Sequence, residues 1–99
     1  MHVISRRRLR EFYLEHADVI EALDDWFLTV SKSSWHNLIE LQNIYPQAEA
    51  VSNFTVFNVK GKKYRLIASI NYEKQIVYVK YVLTHAEYDK DKWKNDRYY

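Results

Sequence analysis

The chain has no cysteine, one glycine and one proline in 99 residues. Without cysteine there is no disulfide scaffold, no thiolate zinc site and no thiol nucleophile. The single glycine, Gly61, leaves no phosphate-cradling glycine loop and no serine nucleophile elbow, since both need several glycines. Histidine is sparse too: His2, His16, His36 and His85 show no paired ligand spacing, so neither a metal nor another cofactor is expected. No apolar run approaches the roughly 20 residues of a membrane span, and no membrane partner is expected. The opening residues Met1 to Arg8 put their charges after a very short apolar stretch. A secretory signal has the opposite order, so the expectation is a cytoplasmic protein. Repeats and low-complexity tracts are absent.

What the chain does carry is aromatic: 16% of residues, with nine Tyr, three Trp and four Phe, inside a 47% hydrophobic composition. Disordered chains lack such residues, and 99 residues suffice for one modest core and no second. A single domain is expected over residues 1–91, followed by a polar and aromatic tail, 92–99, that frays or docks on a partner. The net charge of +2 conceals an asymmetry. Residues 1–50 hold 5 Lys/Arg against 8 Asp/Glu, and residues 51–99 hold 10 against 5. A basic half of this kind suits a polyanionic partner.

Periodicity divides the chain in two. His2-Val3-Ile4 reads as a short β-branched strand, and Ser5 can cap a helix from Arg6 to Glu15 that turns Leu9, Phe12 and Tyr13 inward. Its arginines open the helix, against the dipole. Asp18 with Glu21 resembles a capping box for a helix over 19–31, with Val19, Leu23, Trp26, Phe27 and Val30 on one stripe. Ser34 can cap a third helix through Gln42, with Trp35, Leu38 and Ile39 inward, before Tyr45-Pro46 ends it. The period then changes to two. Phe54–Val59, Lys63–Asn71 and Ile76–Leu83 read as strands, joined by a turn at Lys60-Gly61-Lys62 and another at Tyr72–Gln75. Thr84 can cap a short final helix, His85 to about Trp93. The expected fold is α+β in two layers: an N-terminal strand and two to three helices packed on an antiparallel meander. If Leu66 faces the core, Arg65 faces the second, partly open side of the sheet.

Alternating strand direction brings the lysine turn (Lys60, Lys62, Lys63), Arg65 and the His85-Ala86-Glu87-Tyr88-Asp89 run to one end of the meander. Metal-free RNA cleavage suits that set. A 2′-hydroxyl must lose a proton, a phosphorane-like charge must be stabilised, and a 5′-oxygen must gain a proton. Histidine titrates nearest neutrality, arginine offers a rigid fork to phosphate, and tyrosine can stack on a base or shuttle a proton. Taken singly, each residue has a bland reading: a solvated strand arginine, a structural histidine at a helix start, a core or interface tyrosine, lysines that keep a turn soluble.

Tyr64-Arg65-Leu66-Ile67-Ala68 and Val82-Leu83-Thr84-His85-Ala86-Glu87-Tyr88-Asp89, with the opening Met1–Ser5 and the strand Val56-Phe57-Asn58-Val59, resemble the HigB family of RelE-like toxins over about residues 1–91. The resemblance implies the RelE-like fold and an mRNA interferase that cuts translated mRNA in the ribosomal A site without a metal. It implies a HigA-type helix-turn-helix antitoxin, with operator DNA met only through that antitoxin. It places Arg65 at the scissile phosphate, with His85 and Tyr88 at the end of the last strand. Asn58 stands where RelE has a lysine, which moves the base role toward His85; which group is base and which acid stays open. Asn58, Lys60, Lys62 and Lys63, with Arg6, Arg7, Arg8 and Arg10, would contact messenger or ribosomal RNA. The alternative is a non-enzymatic RNA- or protein-binding module on the same fold.

Overall fold

Among the described residues, helical periodicity gives way after Pro46 to strands, for five strands and four α-helices in all. The computed structural model describes residues 1–4 and 6–99, with the side chains of all these except Arg6 and Arg8. The strands are β1 (His2–Ile4), β2 (Glu49–Val51), β3 (Phe54–Val59), β4 (Tyr64–Asn71) and β5 (Ile76–Thr84). The helices are α1 (Arg6–Glu15), α2 (Ile20–Lys32), α3 (Leu38–Ile44) and α4 (His85–Asp89). The sheet order is β1-β5-β4-β3-β2. β2 to β5 form the antiparallel meander, and β1 returns parallel to β5 with His2 opposite Ile76 and Ile4 opposite Tyr78. The α+β expectation holds. The expected Ser5 cap lies outside the described residues.

The inner layer buries one continuous core. Leu9, Phe12, Val19, Leu23, Trp26, Val30, Trp35 and Leu41 pack on Phe57, Val59, Tyr64, Leu66, Ala68, Val77 and Val79 from the sheet. Each fully buried large side chain contributes about 1.5–3 kcal/mol.

Two helix starts differ from expectation. A 3₁₀ turn, Ala17–Val19, precedes α2, and Asp18 makes no capping bond. Its carboxylate turns instead to two lysines and a tyrosine, whose full charges and phenol satisfy it better than backbone dipoles can. α3 starts at Leu38 rather than after Ser34, because the Asn37 side chain accepts from Glu40 N at 2.9 Å. The later start turns Leu41 into the core and leaves Ile39 75% exposed.

The sheet's outer face was expected to be partly open, and it is covered by the presumed tail. α4 stops at Asp89, Asp91 takes a left-handed conformation (φ 59°), and a 3₁₀ turn, Lys92–Asn95, follows. That turn buries Trp93 to 3% exposure against Phe54, Val56 and Ile67. Its indole N–H donates to Tyr88 O (3.1 Å), and the Tyr99 carbonyl accepts from the Ser52 hydroxyl (2.8 Å) and the Asn53 amide (3.0 Å). An apolar second face on a meander must be buried by something, and here residues 92–99 do it.

β5 also carries a bulge. Ile67 pairs with Tyr81 but Ala68 pairs with Val79, so Lys80 is the extra residue. Val77 and Val79 point inward, whereas Tyr81 and Leu83 join the outer cluster. The bulge exchanges the faces of everything after it.

Candidate active site

Thr84 ends β5 with a complete capping box. Its hydroxyl accepts from Glu87 N (3.2 Å), and the Glu87 carboxylate accepts from Thr84 N (2.9 Å). His85 is therefore the first residue of α4, and its backbone N–H donates to Lys63 O at 3.1 Å. On the neighbouring strand Arg65 pairs with Leu83 on one side and Asn58 on the other. Residues directly opposite share a face, so Arg65 lies on the outer side, as alternation implied.

There Arg65 is 9% exposed. The Tyr88 ring lies over its guanidinium, 5.3 Å from centroid to Cζ, and Nη1 donates to Lys62 O at 2.8 Å and to Tyr64 O at 3.4 Å. Nε and Nη2 bond to no described residue, yet neither is sealed from solvent. The guanidinium is thus fixed on one side and presents donors on the other. Tyr88 in turn stacks on Trp93, with centroids 5.3 Å apart and planes 14° from parallel. Burial first, then the Glu49 carboxylate, raises the Tyr88 pKa, with Arg65 partly opposing. The phenol stays protonated at neutral pH and is a proton donor.

The exposed His85 ring holds Nε2 3.1 Å from Asp89 Oδ2, one turn along α4, an ion pair when the imidazole is protonated. His85 and Tyr88 stand three residues apart on α4, a spacing that places side chains on neighbouring positions. The lysine turn, Arg65 and the start of α4 thus meet at one end of the sheet. What they offer is a fixed cation, a phenol donor and a histidine with a carboxylate partner.

The RNA-binding candidates divide. Lys63 Nζ lies 2.5 Å and Lys60 Nζ 3.2 Å from Asp18 Oδ2, and the Tyr64 hydroxyl donates to Oδ1 at 2.7 Å. Foremost the Lys63 bond, then those from Tyr64 and Lys60, hold the Asp18 carboxyl far below its ordinary value. Lys62 has no side-chain partner among the described residues. Asn58 donates to the Gln47 side chain at 2.8 Å. Exposed Arg7 pairs with Glu11 at 3.2 Å. Arg7 and Arg10 belong to the first half of α1, whereas His16, at its far end, packs against Tyr64 at 5.5 Å. The rise of an α-helix sets Arg7 about 14 Å along the axis from that end. The side chains of Arg6 and Arg8 lie outside the description.

Sequence reasoning missed three neighbours of the site. Glu49 arrives on β2, which is only three residues long. Asp18 was read as a cap. His16 lies near enough to Glu87 to help lower its pKa, a smaller effect than the Thr84 backbone bond. Among the described residues no three of His, Cys, Asp and Glu group to hold a metal ion, and no helix is long and apolar enough to cross a membrane.

An α+β domain with helices packed on a mixed five-stranded sheet is consistent with the fold of a RelE-like toxin. Residues 19–91 match the HigB toxin family, described as the RelE-like toxic component of a toxin–antitoxin system. The mRNA interferase toxin HigB of Escherichia coli (strain K12) is 30% identical over 95 residues, covering 90% of this chain and 88% of that protein. The mRNA interferase HigB of Shigella flexneri aligns to the same extent, and that of Escherichia coli O6:H1 is 27% identical over 93 residues, covering 91% of this chain and 90% of its own. The chain belongs to the HigB family of toxins.

Proposed function

We propose that this toxin is an mRNA interferase, an endoribonuclease that cuts translated mRNA in the ribosomal A site by acid–base catalysis. The carrying observation is Arg65, clamped between the Tyr88 ring and the Lys62 carbonyl with donors left over. A preorganised guanidinium aimed at developing phosphorane charge is among the largest single catalytic effects available. Tyr88, kept protonated, gives its proton to the departing 5′-oxygen. His85 takes the proton of the attacking 2′-hydroxyl, and Asp89 stabilises the resulting imidazolium. Both oxygens belong to the RNA, so the bond between phosphorus and the 5′-oxygen breaks as the 2′-oxygen–phosphorus bond forms, leaving a 2′,3′-cyclic phosphate.

Lys62 and Asn58 border this site, and with Arg6, Arg7, Arg8 and Arg10 they complete the RNA-facing surface. The arginines serve ribosomal RNA rather than the scissile bond, because α1 carries them away from Arg65. The named relatives support the reaction class. The partner in the cytoplasm is a HigA-type helix-turn-helix antitoxin, through which alone the toxin meets operator DNA.

The test is primer extension on mRNA from a translating extract supplied with purified toxin. Wild type yields discrete cleavage ends that need active translation. Arg65→Ala and His85→Ala, shown folded by circular dichroism, yield none. Full activity of both variants refutes the site.

A further inference from the structure

We propose that Asp18 is a positioning residue for cleavage, holding the 60–63 turn so that its carbonyls fix Arg65 and the start of α4. The proposal rests on the reading of Arg65 and His85 given above. Asp18 lies on the 3₁₀ turn between α1 and α2, more than 40 residues from the groups it binds. Its carboxylate engages both ends of the turn. Lys60 Nζ reaches Oδ2 (3.2 Å) and also the Asp18 backbone carbonyl (2.9 Å), and Lys63 Nζ reaches Oδ2 (2.5 Å). The other oxygen accepts from the Tyr64 hydroxyl (2.7 Å).

The turn needs holding. Lys60 and Gly61 both adopt left-handed conformations, with φ of 53° and 65°. Glycine does so freely, whereas lysine pays a steric penalty. Within the turn the Lys63 N–H bond to Lys60 O is long, at 3.3 Å. Two ammonium groups pinned to one carboxylate supply the missing constraint.

What the turn holds is the site. Lys62 O accepts from Arg65 Nη1 (2.8 Å), and the next carbonyl, Lys63 O, accepts from His85 N (3.1 Å). Tyr64 follows Lys63 and precedes Arg65, with its ring in the core and its hydroxyl on Asp18. One carboxylate therefore governs the two carbonyls on which the guanidinium and the first residue of α4 rest. A displacement of about 1 Å at such a site costs on the order of 10²-fold in rate.

The charge argument gives Asp18 a signature that neither an RNA contact nor a purely structural residue shares. Removing the carboxylate frees two lysines beside the phosphate path, so substrate affinity is kept or improved while the chemical step slows. For Asp18→Asn in the full-length toxin, kcat for cleavage of ribosome-bound mRNA falls about 10- to 100-fold, and KM stays level or drops. The NMR signals of the Arg65 Nε–H and the His85 amide shift, and the His85 amide exchanges faster with solvent. Lys63→Met moves the same signals and kcat in the same direction by less, which keeps the proposal testable if Asp18→Asn folds poorly.

An unchanged kcat in Asp18→Asn, or a raised KM with unchanged kcat, overturns the proposal while the catalytic reading stands. If Arg65→Ala is itself fully active, the catalytic reading fails, and unmoved Arg65 and His85 signals in Asp18→Asn then also refute control of the turn.

Discussion

Tyr88 closes over Arg65 from a different element, its ring centroid 5.3 Å from the guanidinium carbon. The contact couples the short α4 to the middle strand. It also separates two roles of one side chain, because the ring shields the cation while the hydroxyl is the part proposed to carry the proton. Tyr88→Phe keeps the ring and removes the hydroxyl. Cleavage by this variant falls about 10²-fold or more, with unchanged thermal stability. Tyr88→Leu removes both and also loosens Arg65. The comparison of the two by single-turnover cleavage and melting temperature checks the separation.

Trp93 is the support under Tyr88. Truncating a buried core aromatic costs about 3–5 kcal/mol, and Trp93 is 3% exposed. Trp93→Ala is expected to lower the urea midpoint by a corresponding amount. It is also expected to reduce cleavage at temperatures where the chain is still folded, because Tyr88 loses its stacking partner.

Acid should weaken the link between the 3₁₀ turn and the lysine turn. The Asp18 carboxyl is held below its ordinary 3.8 by Lys63, Tyr64 and Lys60. A group whose pKa is depressed by folding stabilises the fold above its unfolded value, and that contribution is lost as pH falls through the folded one. Asp96, lowered by the Tyr98 backbone N–H and the Tyr81 hydroxyl, acts in the same sense. Chemical denaturation from pH 5 downward should show stability falling from about pH 4. The slope should be shallower in Asp18→Asn.

The three lysines of the turn should behave differently. Lys62 is unpartnered among the described residues, and Lys60 and Lys63 share Asp18. Lys62→Ala is expected to raise KM and to reduce the salt dependence of RNA binding by about 0.7 in log–log slope, one phosphate contact on a single strand. A salt titration of ribosome binding checks this. Lys60→Ala should leave that slope closer to wild type.

Local signals carried most of the fold. Period-two alternation with turn residues marked β3, β4 and β5, and the same alternation put Arg65 opposite Leu66. Thr84 read as the cap of a short final helix, and the structure completes that cap with Glu87. What was not legible depends on contacts far apart in sequence. Asp18 and Glu21 have a capping spacing, and nothing nearby signals that lysines 42 and 45 residues away compete for the carboxylate. β2 has three residues and is defined by β3 rather than by its own pattern. The last residues look polar, and their role appears only once the outer face of the sheet exists for Trp93 to cover.

The bulge at Lys80 makes the site a matter of counting as much as of chemistry. Upstream of it β5 is phased to the inner core; downstream the phase is reversed, so that Leu83 joins Arg65 on the outer face and α4 leaves the strand above it. Deleting Lys80 would leave Val79 opposite Ala68 and Tyr81 opposite Ile67, so β5 would alternate without a break and Tyr88 would keep its side of the sheet; deleting one residue between Tyr81 and Thr84 would instead turn α4 to the other face. For the proposed site, the number of residues between the bulge and α4 is as strict a requirement as the identity of the side chains.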